Sequence, residues 1–322
     1  MMHEDIKNFY RQFEYEPVVE NGKLTKKFDS FVVAGMGGSN LAAGVLKAWH
    51  PDLQIVQHRN YGLPALPLKT LKKSLFIASS YSGNTEETIS AFSEAVKKKL
   101  PVVAVAGGGR LLDLARKRKK PYIQIPNTGI QPRLATGFNL MALLKLMGNN
   151  NGLREARELQ NLLKSNEYER TGKSLAKKFK GRVPVIYVSE RNSAIGYNWK
   201  IKFNETGKIP AFTNVFPELN HNEMNGFDYQ EGTKEISRKF SFLFLKDPSD
   251  NMRIIKRMNI TERLYREREM PVEVLILNGR NPLHKIFSSI LIADWASYYI
   301  AGEYGVNPEQ VPMVEEFKKL IR

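Results

Sequence analysis

The sequence predicts an α/β fold built twice, each half a parallel sheet covered by helices on both faces. Three observations carry this. Short, continuously apolar runs alternate with helical patterns through both halves, as in strands buried on two sides. At 322 residues the chain exceeds one ordinary core and suits two. A run of glycine and asparagine, Gly148-Asn149-Asn150-Asn151-Gly152, breaks the pattern near the middle, because both residue types tolerate positive backbone angles and end helices. The expected division is therefore 1–150 and 151–322.

The elements follow in order. In the first half, strands are expected at 31–34, 74–78, 101–106 and 122–125, with helices at 41–49, 85–98 and 134–147. A charged amphipathic helix at 153–180 leads into the second half. There, strands are expected at 183–188, 240–245 and 272–277, with helices at 192–206, 251–263, 283–304 and 309–320. No residue-level repeat joins the halves. The stripe Trp295, Tyr298, Tyr299 on the 283–304 helix reads as core or dimer interface.

Composition excludes several classes of chemistry. There is no cysteine, which rules out disulfides, thiolate catalysis and cysteine-ligated metals. His50, His58 and His284 are scattered singly and His3 lies near a terminus, so no metal site is expected. No apolar run reaches the ~18 residues of a membrane span, and residues 1–10 lack a signal-type stretch, so the reading is cytoplasmic with no membrane partner. The net charge of +16 is scattered, apart from 97–99 and 116–120, without interleaved aromatics; no nucleic acid partner is expected.

Two turns carry the chemistry. Gly35-Met36-Gly37-Gly38-Ser39 follows the first strand, and Ser79-Ser80-Tyr81-Ser82-Gly83-Asn84-Thr85 follows the second. Open α/β sheets bind ligands at the carboxyl ends of strands, and helix amino ends attract anions. The first turn is not a dinucleotide fingerprint, since Asn40 stands at the third glycine position. No Gly-Lys-Ser/Thr follows for a nucleotide loop. A cradle rich in hydroxyls and free of lysine fits a terminal monophosphate held without magnesium. Well-capped tight turns are the plainer reading of either one alone.

The segment Ser80 to Thr88 resembles the phosphate loop of the sugar isomerase (SIS) domain family. Gly35 to Ser39, Gln131-Pro132-Arg133, Asn204-Glu205 and Pro217-Glu218-Leu219-Asn220-His221-Asn222-Glu223 narrow the match. Together, in this order over nearly the whole chain, they resemble the bifunctional phosphoglucose/phosphomannose isomerases. The resemblance implies two SIS domains, each a flavodoxin-like αβα sandwich, in a homodimer with shared active sites. It implies metal-free interconversion of glucose 6-phosphate and mannose 6-phosphate with fructose 6-phosphate, and so a place in glycolysis and gluconeogenesis, with no cofactor. The phosphate falls to Gly38, Ser39, Ser80, Ser82 and Thr85. The catalytic roles fall to Glu205 as base, Arg133 as cation beside the enediolate, His221 for ring opening from the partner subunit, and Lys318, beside Lys319, for ring opening or for holding O5. The sequence departs from the family at Asn40, at Thr206-Gly207-Lys208 and at Glu309-Gln310, the last touching the glucose-versus-mannose balance.

The chemistry is coherent on the residues themselves. Aldose-ketose isomerisation needs one base serving two adjacent carbons, a fixed cation where oxygen charge builds, and a proton shuttle to open the ring. A surface helix glutamate, a helix-start arginine, a solvated loop histidine and a solvated helix lysine are the ordinary readings of the same four residues. A non-catalytic SIS module that senses a sugar phosphate and a single-activity glucose-6-phosphate isomerase are the rival functions. The isomerase half of a glutamine amidotransferase is opposed by the lack of a nucleophilic cysteine.

Overall fold

The computed structural model describes residues 1–322 apart from Lys23, Thr25 and Arg322. The chain forms two compact units, Asn8–Leu163 and Met1–Lys7 with Lys164–Arg322. The first short helix, α1 (Met2–Lys7), thus belongs with the later residues.

In the unit spanning 8–163, five parallel strands run in the order β2-β1-β3-β4-β5. They are β1 (Ser30–Ala34), β2 (Gln54–His58), β3 (Leu75–Ser80), β4 (Val102–Ala106) and β5 (Tyr122–Gln124). The helices are α2 (Gly38–Trp49), α3 (Leu68–Lys73), α4 (Glu86–Lys97), α5 (Gly109–Lys117), α6 (Thr136–Leu146) and α7 (Asn150–Leu162). Val32, Phe76, Ala78, Val102 and Ala104 pack with Phe92, Leu111 and Leu112 of α4 and α5 on one face. Helix α6 packs on both α2 and α7. Helix α7 also packs on the 3-10 turn Phe9–Glu14, so the unit extends beyond the glycine-asparagine break to Leu163. That break is a short turn between α6 and α7, with Asn149 accepting from the Gly152 N–H at 2.8 Å as a helix cap.

In the other unit the parallel order is β7-β6-β8-β9, from β6 (Val183–Ser189), β7 (Phe212–Phe216), β8 (Phe240–Lys246) and β9 (Val272–Ile276). Its helices are α8 (Ser165–Phe179), α9 (Ser193–Glu205), α10 (Glu223–Gly226), α11 (Lys234–Ser237), α12 (Met252–Glu267), α13 (Pro282–Glu303) and α14 (Pro312–Leu320). Helix α13 is buried along most of its length, where it packs on α8 and α9. Trp295 is part of that core and donates from Nε1 to Ser165 Oγ at 3.0 Å. The opposite face of the sheet carries an aromatic core, Tyr187, Phe216, Phe242 and Phe244 against Tyr265 of α12. The expected helix at 153–180 is two helices, broken at Leu163 and Lys164.

The sequence reading missed one strand in each half, β2 and β7. Each comes after its unit's first long crossover helix and pairs with only one neighbour, at the sheet edge. Gln54, Gln57, Thr213 and Asn214 interrupt the apolar signal, because an edge strand needs less burial than a central one.

Candidate active site

In the 8–163 unit, the carboxyl ends of β1 and β3 bring the two hydroxyl-bearing turns together. Ser39 accepts the Tyr81 N–H on Oγ at 2.8 Å, while its carbonyl accepts Ser79 Oγ at 3.1 Å. Ser80 Oγ accepts the Gly83 N–H at 3.1 Å and shares a 2.8 Å hydrogen bond with Thr85 Oγ1. Ser82 Oγ accepts the Asn84 N–H at 3.2 Å. The oxygens are thus used as acceptors from backbone N–H groups. A hydroxyl that accepts still has its own proton to donate. Ser39, Ser82 and one of the Ser80–Thr85 pair therefore retain donor protons, at the start of α2 and of α4. That is an arrangement for an anion with several oxygens.

Two glycines make the close approach possible. A Cβ on Gly38 would run into the Pro132 carbonyl and the Arg133 backbone nitrogen, so this position brings the Gln131-Pro132-Arg133 segment onto the first turn. Gly83 has φ +70° and lies against the Gly108 carbonyl, where no side chain fits. Arg133 is 1% exposed, and its Nη1 donates to Gln131 Oε1 at 3.3 Å. Asn40, at the departure from the family pattern, is a buried brace. Its Nδ2 donates to the Gly35 carbonyl at 2.9 Å, and its Oδ1 accepts from Gln57 of β2 at 2.6 Å. A glycine could not hold the first turn this way.

In the other unit, Glu205 is the last residue of α9 and is half-buried. The turn after it is closed by Lys208, whose Nζ donates to the Glu205 carbonyl, and by Asn204 Nδ2 donating to the Ile209 carbonyl at 3.0 Å. One turn earlier, Lys202 is wholly buried and pairs with Asp294 of α13 at 2.5 Å. His221 lies in the 3-10 turn Glu218–His221 after β7, exposed and beside a cavity of about 610 Å³ lined also by Asn225, Asp228, Tyr265 and Arg268. Helix α9 runs back from the carboxyl end of β6, so Glu205 is near the start of β7 and His221 is beyond its end. Five residues of strand separate them by roughly 15 Å. Within this unit the structure does not bring Glu205 and His221 together. Lys318 is half-exposed on α14, paired with Glu315 of the same helix at 2.7 Å. Helix α14 has no buried residue, and Met313, Phe317 and Leu320 form an exposed apolar stripe.

The carboxyl ends of β6 and β8 occupy the positions that β1 and β3 hold in the first unit, but they contain a carboxylate of the chain itself. Asp247, buried, accepts from Lys285 Nζ at 2.7 and 2.8 Å and from Ser249 Oγ at 2.7 Å, with Asn192 at 3.2 Å. Burial pushes Asp247 up, but the hydrogen bonds from Lys285, Ser249 and Asn192 together outweigh it and hold it below the usual carboxylate range. The second strand-end cradle is self-filled.

Comparison with known proteins bears on this arrangement. The family model for the bacterial phospho-glucose isomerase C-terminal SIS domain matches residues 168–321. The bifunctional phosphoglucose/phosphomannose isomerase of Thermoplasma volcanium is 38% identical over 300 residues, covering 92% of this chain and 92% of that protein. The chain belongs to the bifunctional phosphoglucose/phosphomannose isomerase family. The Aquifex aeolicus member of the family is 30% identical over 326 residues, covering 98% of this chain and 97% of that one. Among solved structures, glucosamine-6-phosphate deaminase from Thermotoga maritima superposes with a TM-score of 0.67, covering 97% of each chain at 17% identity. That is a shared fold, two α/β SIS domains with parallel sheets.

Several residues of this phosphoglucose/phosphomannose isomerase family member were invisible to sequence reasoning. Asn40, Lys202 with Asp294, Asp247 with Lys285, and Tyr187 with Asn214 and Glu223 form contacts between residues far apart in the chain. Asn40 left a signal as an odd residue at a glycine position, and Glu223 left one as a member of the polar cluster around His221, but the distant partners of both left none. Among the described residues, no helix is long and apolar enough to cross a membrane, and no group of three or more His, Asp or Glu could hold a metal ion.

Proposed function

We propose that this protein interconverts glucose 6-phosphate and mannose 6-phosphate with fructose 6-phosphate by moving a proton between C1 and C2 through a cis-enediol. The observation that carries the reading is the cradle, where backbone N–H groups occupy the oxygens of Ser39, Ser80 and Ser82, and Ser39, Ser82 and one of the Ser80–Thr85 pair keep a hydroxyl proton for phosphate oxygens. Gly38 and Thr85 complete it. Glu205 takes the proton from C2 of the aldose and returns it to C1. Arg133, always protonated, stabilises the oxygen charge of the enediolate with a planar fork of donors. His221 moves the proton between ring oxygen and hydroxyl that opens the sugar. Lys318 assists that opening or holds O5.

The placement of Glu205 and His221 at opposite ends of β7 favours a homodimer in which His221 serves the partner's site. The exposed stripe of Met313, Phe317 and Leu320 also supports a second copy, since such a stripe on a surface helix gains by being covered. We assign the activity to the cytoplasm, in glycolysis and gluconeogenesis, with no cofactor.

The test is a coupled assay from fructose 6-phosphate that reads glucose 6-phosphate and mannose 6-phosphate separately. Both products are expected, equally with and without EDTA; loss on chelation overturns the metal-free chemistry. Glu205→Gln should lower kcat by about 10²–10⁴-fold and leave sugar-phosphate binding intact. Near-normal turnover in that variant places the base elsewhere.

A further inference from the structure

The segment that carries His221 is tied down by a carboxylate that the proposed reaction does not use. Tyr187 on β6 and Asn214 on β7 are paired residues in the parallel register, so their side chains leave the same face of the sheet side by side. Tyr187 is buried among Phe216, Phe242 and Phe244, with ring centroids at 5.9, 5.4 and 5.3 Å. Its hydroxyl donates to Glu223 Oε1 at 2.6 Å and lies 3.2 Å from the Tyr265 hydroxyl of α12. Asn214 Nδ2 donates to Glu223 Oε2. Each oxygen of Glu223 thus has a donor from a different strand. Burial, with the neighbouring Tyr265 hydroxyl and Glu223 carboxylate, pushes Tyr187 far above the ordinary phenol value, so it stays protonated and remains a donor.

The rest of the segment is pinned around the same point. Asn220 Nδ2 donates to Thr261 Oγ1 at 2.9 Å, Asn222 Oδ1 accepts the Glu223 N–H at 2.5 Å, and Asn222 Nδ2 donates to Glu218 Oε1 at 2.8 Å. Leu219 is buried in the aromatic core. Residues on both sides of His221 are held while its imidazole is left exposed, as on a pedestal. A surface turn with no duty to present a side chain has no need for a two-strand carboxylate clamp beneath it.

We propose that Glu223 is a positioning residue for His221: clamped by Tyr187 and Asn214, it sets where the imidazole stands for ring opening. This rests on the role given to His221 above. Displacing a catalytic group by an ångström costs on the order of 10²-fold in rate. Glu223→Ala therefore lowers kcat about 10- to 100-fold with KM changed less than about threefold, and the conservative Glu223→Gln restores part of the loss, since an amide can accept from Asn214 and donate to Tyr187.

The deciding experiment is a double-mutant cycle in the full-length protein, following kcat on fructose 6-phosphate beside thermal melting. His221→Ala is expected to cripple turnover, and adding Glu223→Ala is expected to cost nothing further in kcat. Should Glu223→Ala not fold, Tyr187→Phe removes one clamp donor while keeping the ring, and its smaller loss should likewise vanish beside His221→Ala. A loss that persists undiminished in the His221→Ala background overturns the inference, as does wild-type kcat in both clamp variants beside a crippled His221→Ala. Wild-type kcat in His221→Ala overturns the role of His221 and this inference with it, and leaves the Glu205 test standing.

Discussion

The buried ion pair of Lys202 and Asp294 gives the sharpest stability prediction. The two side chains are 0% and 1% exposed, with Nζ and Oδ1 2.5 Å apart, and they join α9 to α13 one turn before Glu205. Trp199, one turn earlier on α9, makes a second bond to α13 through Ser289 Oγ at 2.9 Å. Burying either charge is costly, and their attraction offsets the cost only while both are present. Lys202→Met keeps the chain length and removes one charge, leaving the Asp294 carboxylate in an apolar helix interface. The expected loss is about 3–5 kcal/mol. For a domain of this size one kcal/mol moves the melting temperature by about 2–4 °C, so the midpoint should fall by roughly 6–20 °C. Adding Asp294→Leu removes the second charge, and the double variant should recover most of that loss. Thermal melting followed by circular dichroism, with urea titration as a cross-check, reads both. A Lys202→Met midpoint within about 2 °C of wild type, or a double variant worse than the single, would refute the account of the pair.

Two further outcomes follow from the strand ends. Gly38→Ala sets a methyl group against the Pro132 carbonyl and the Arg133 nitrogen, which are backbone and cannot rotate away. It should cost about 1–3 kcal/mol of stability and weaken competitive inhibition by inorganic phosphate by about tenfold or more; an unchanged inhibition constant speaks against the cradle. Asp247, with its folded pKa held low, contributes stability that is present above the unfolded carboxylate value of about 3.9 and lost as pH falls through the folded value. Asp247→Asn should therefore lower stability at pH 7 by about 1.5–3 kcal/mol, and the gap to wild type should close on acidification below pH ~4. A gap independent of pH in urea titrations would count against the charged pair.

The alternation of apolar strands with helices was legible because central strands of a parallel sheet are buried on both faces. Runs such as Phe31 to Ala34, Val102 to Ala106 and Phe242 to Leu245 carry that signal within a few residues. Edge strands β2 and β7 did not, because their polar residues make sense only beside one neighbour. The two turns and their glycines were also legible, since a turn that opens a helix at a strand end is written in consecutive residues. The extent of the first unit to Leu163, and the return of residues 1–7 to the second, were not.

What the sequence by itself determined is the local chemistry: two hydroxyl-bearing turns after strands, an arginine after a proline, a glutamate closing a helix, and a histidine in a polar cluster. What only the tertiary structure decided is how each is held. Asn40 bracing its turn, Lys202 against Asp294, Asp247 filling the second strand-end cradle, and Glu223 caught between Tyr187 and Asn214 all join residues that are polar for reasons their neighbours in the chain do not reveal. Periodicity reports how a residue meets its own element, whereas a buried polar bond depends on which distant element the fold brings against it.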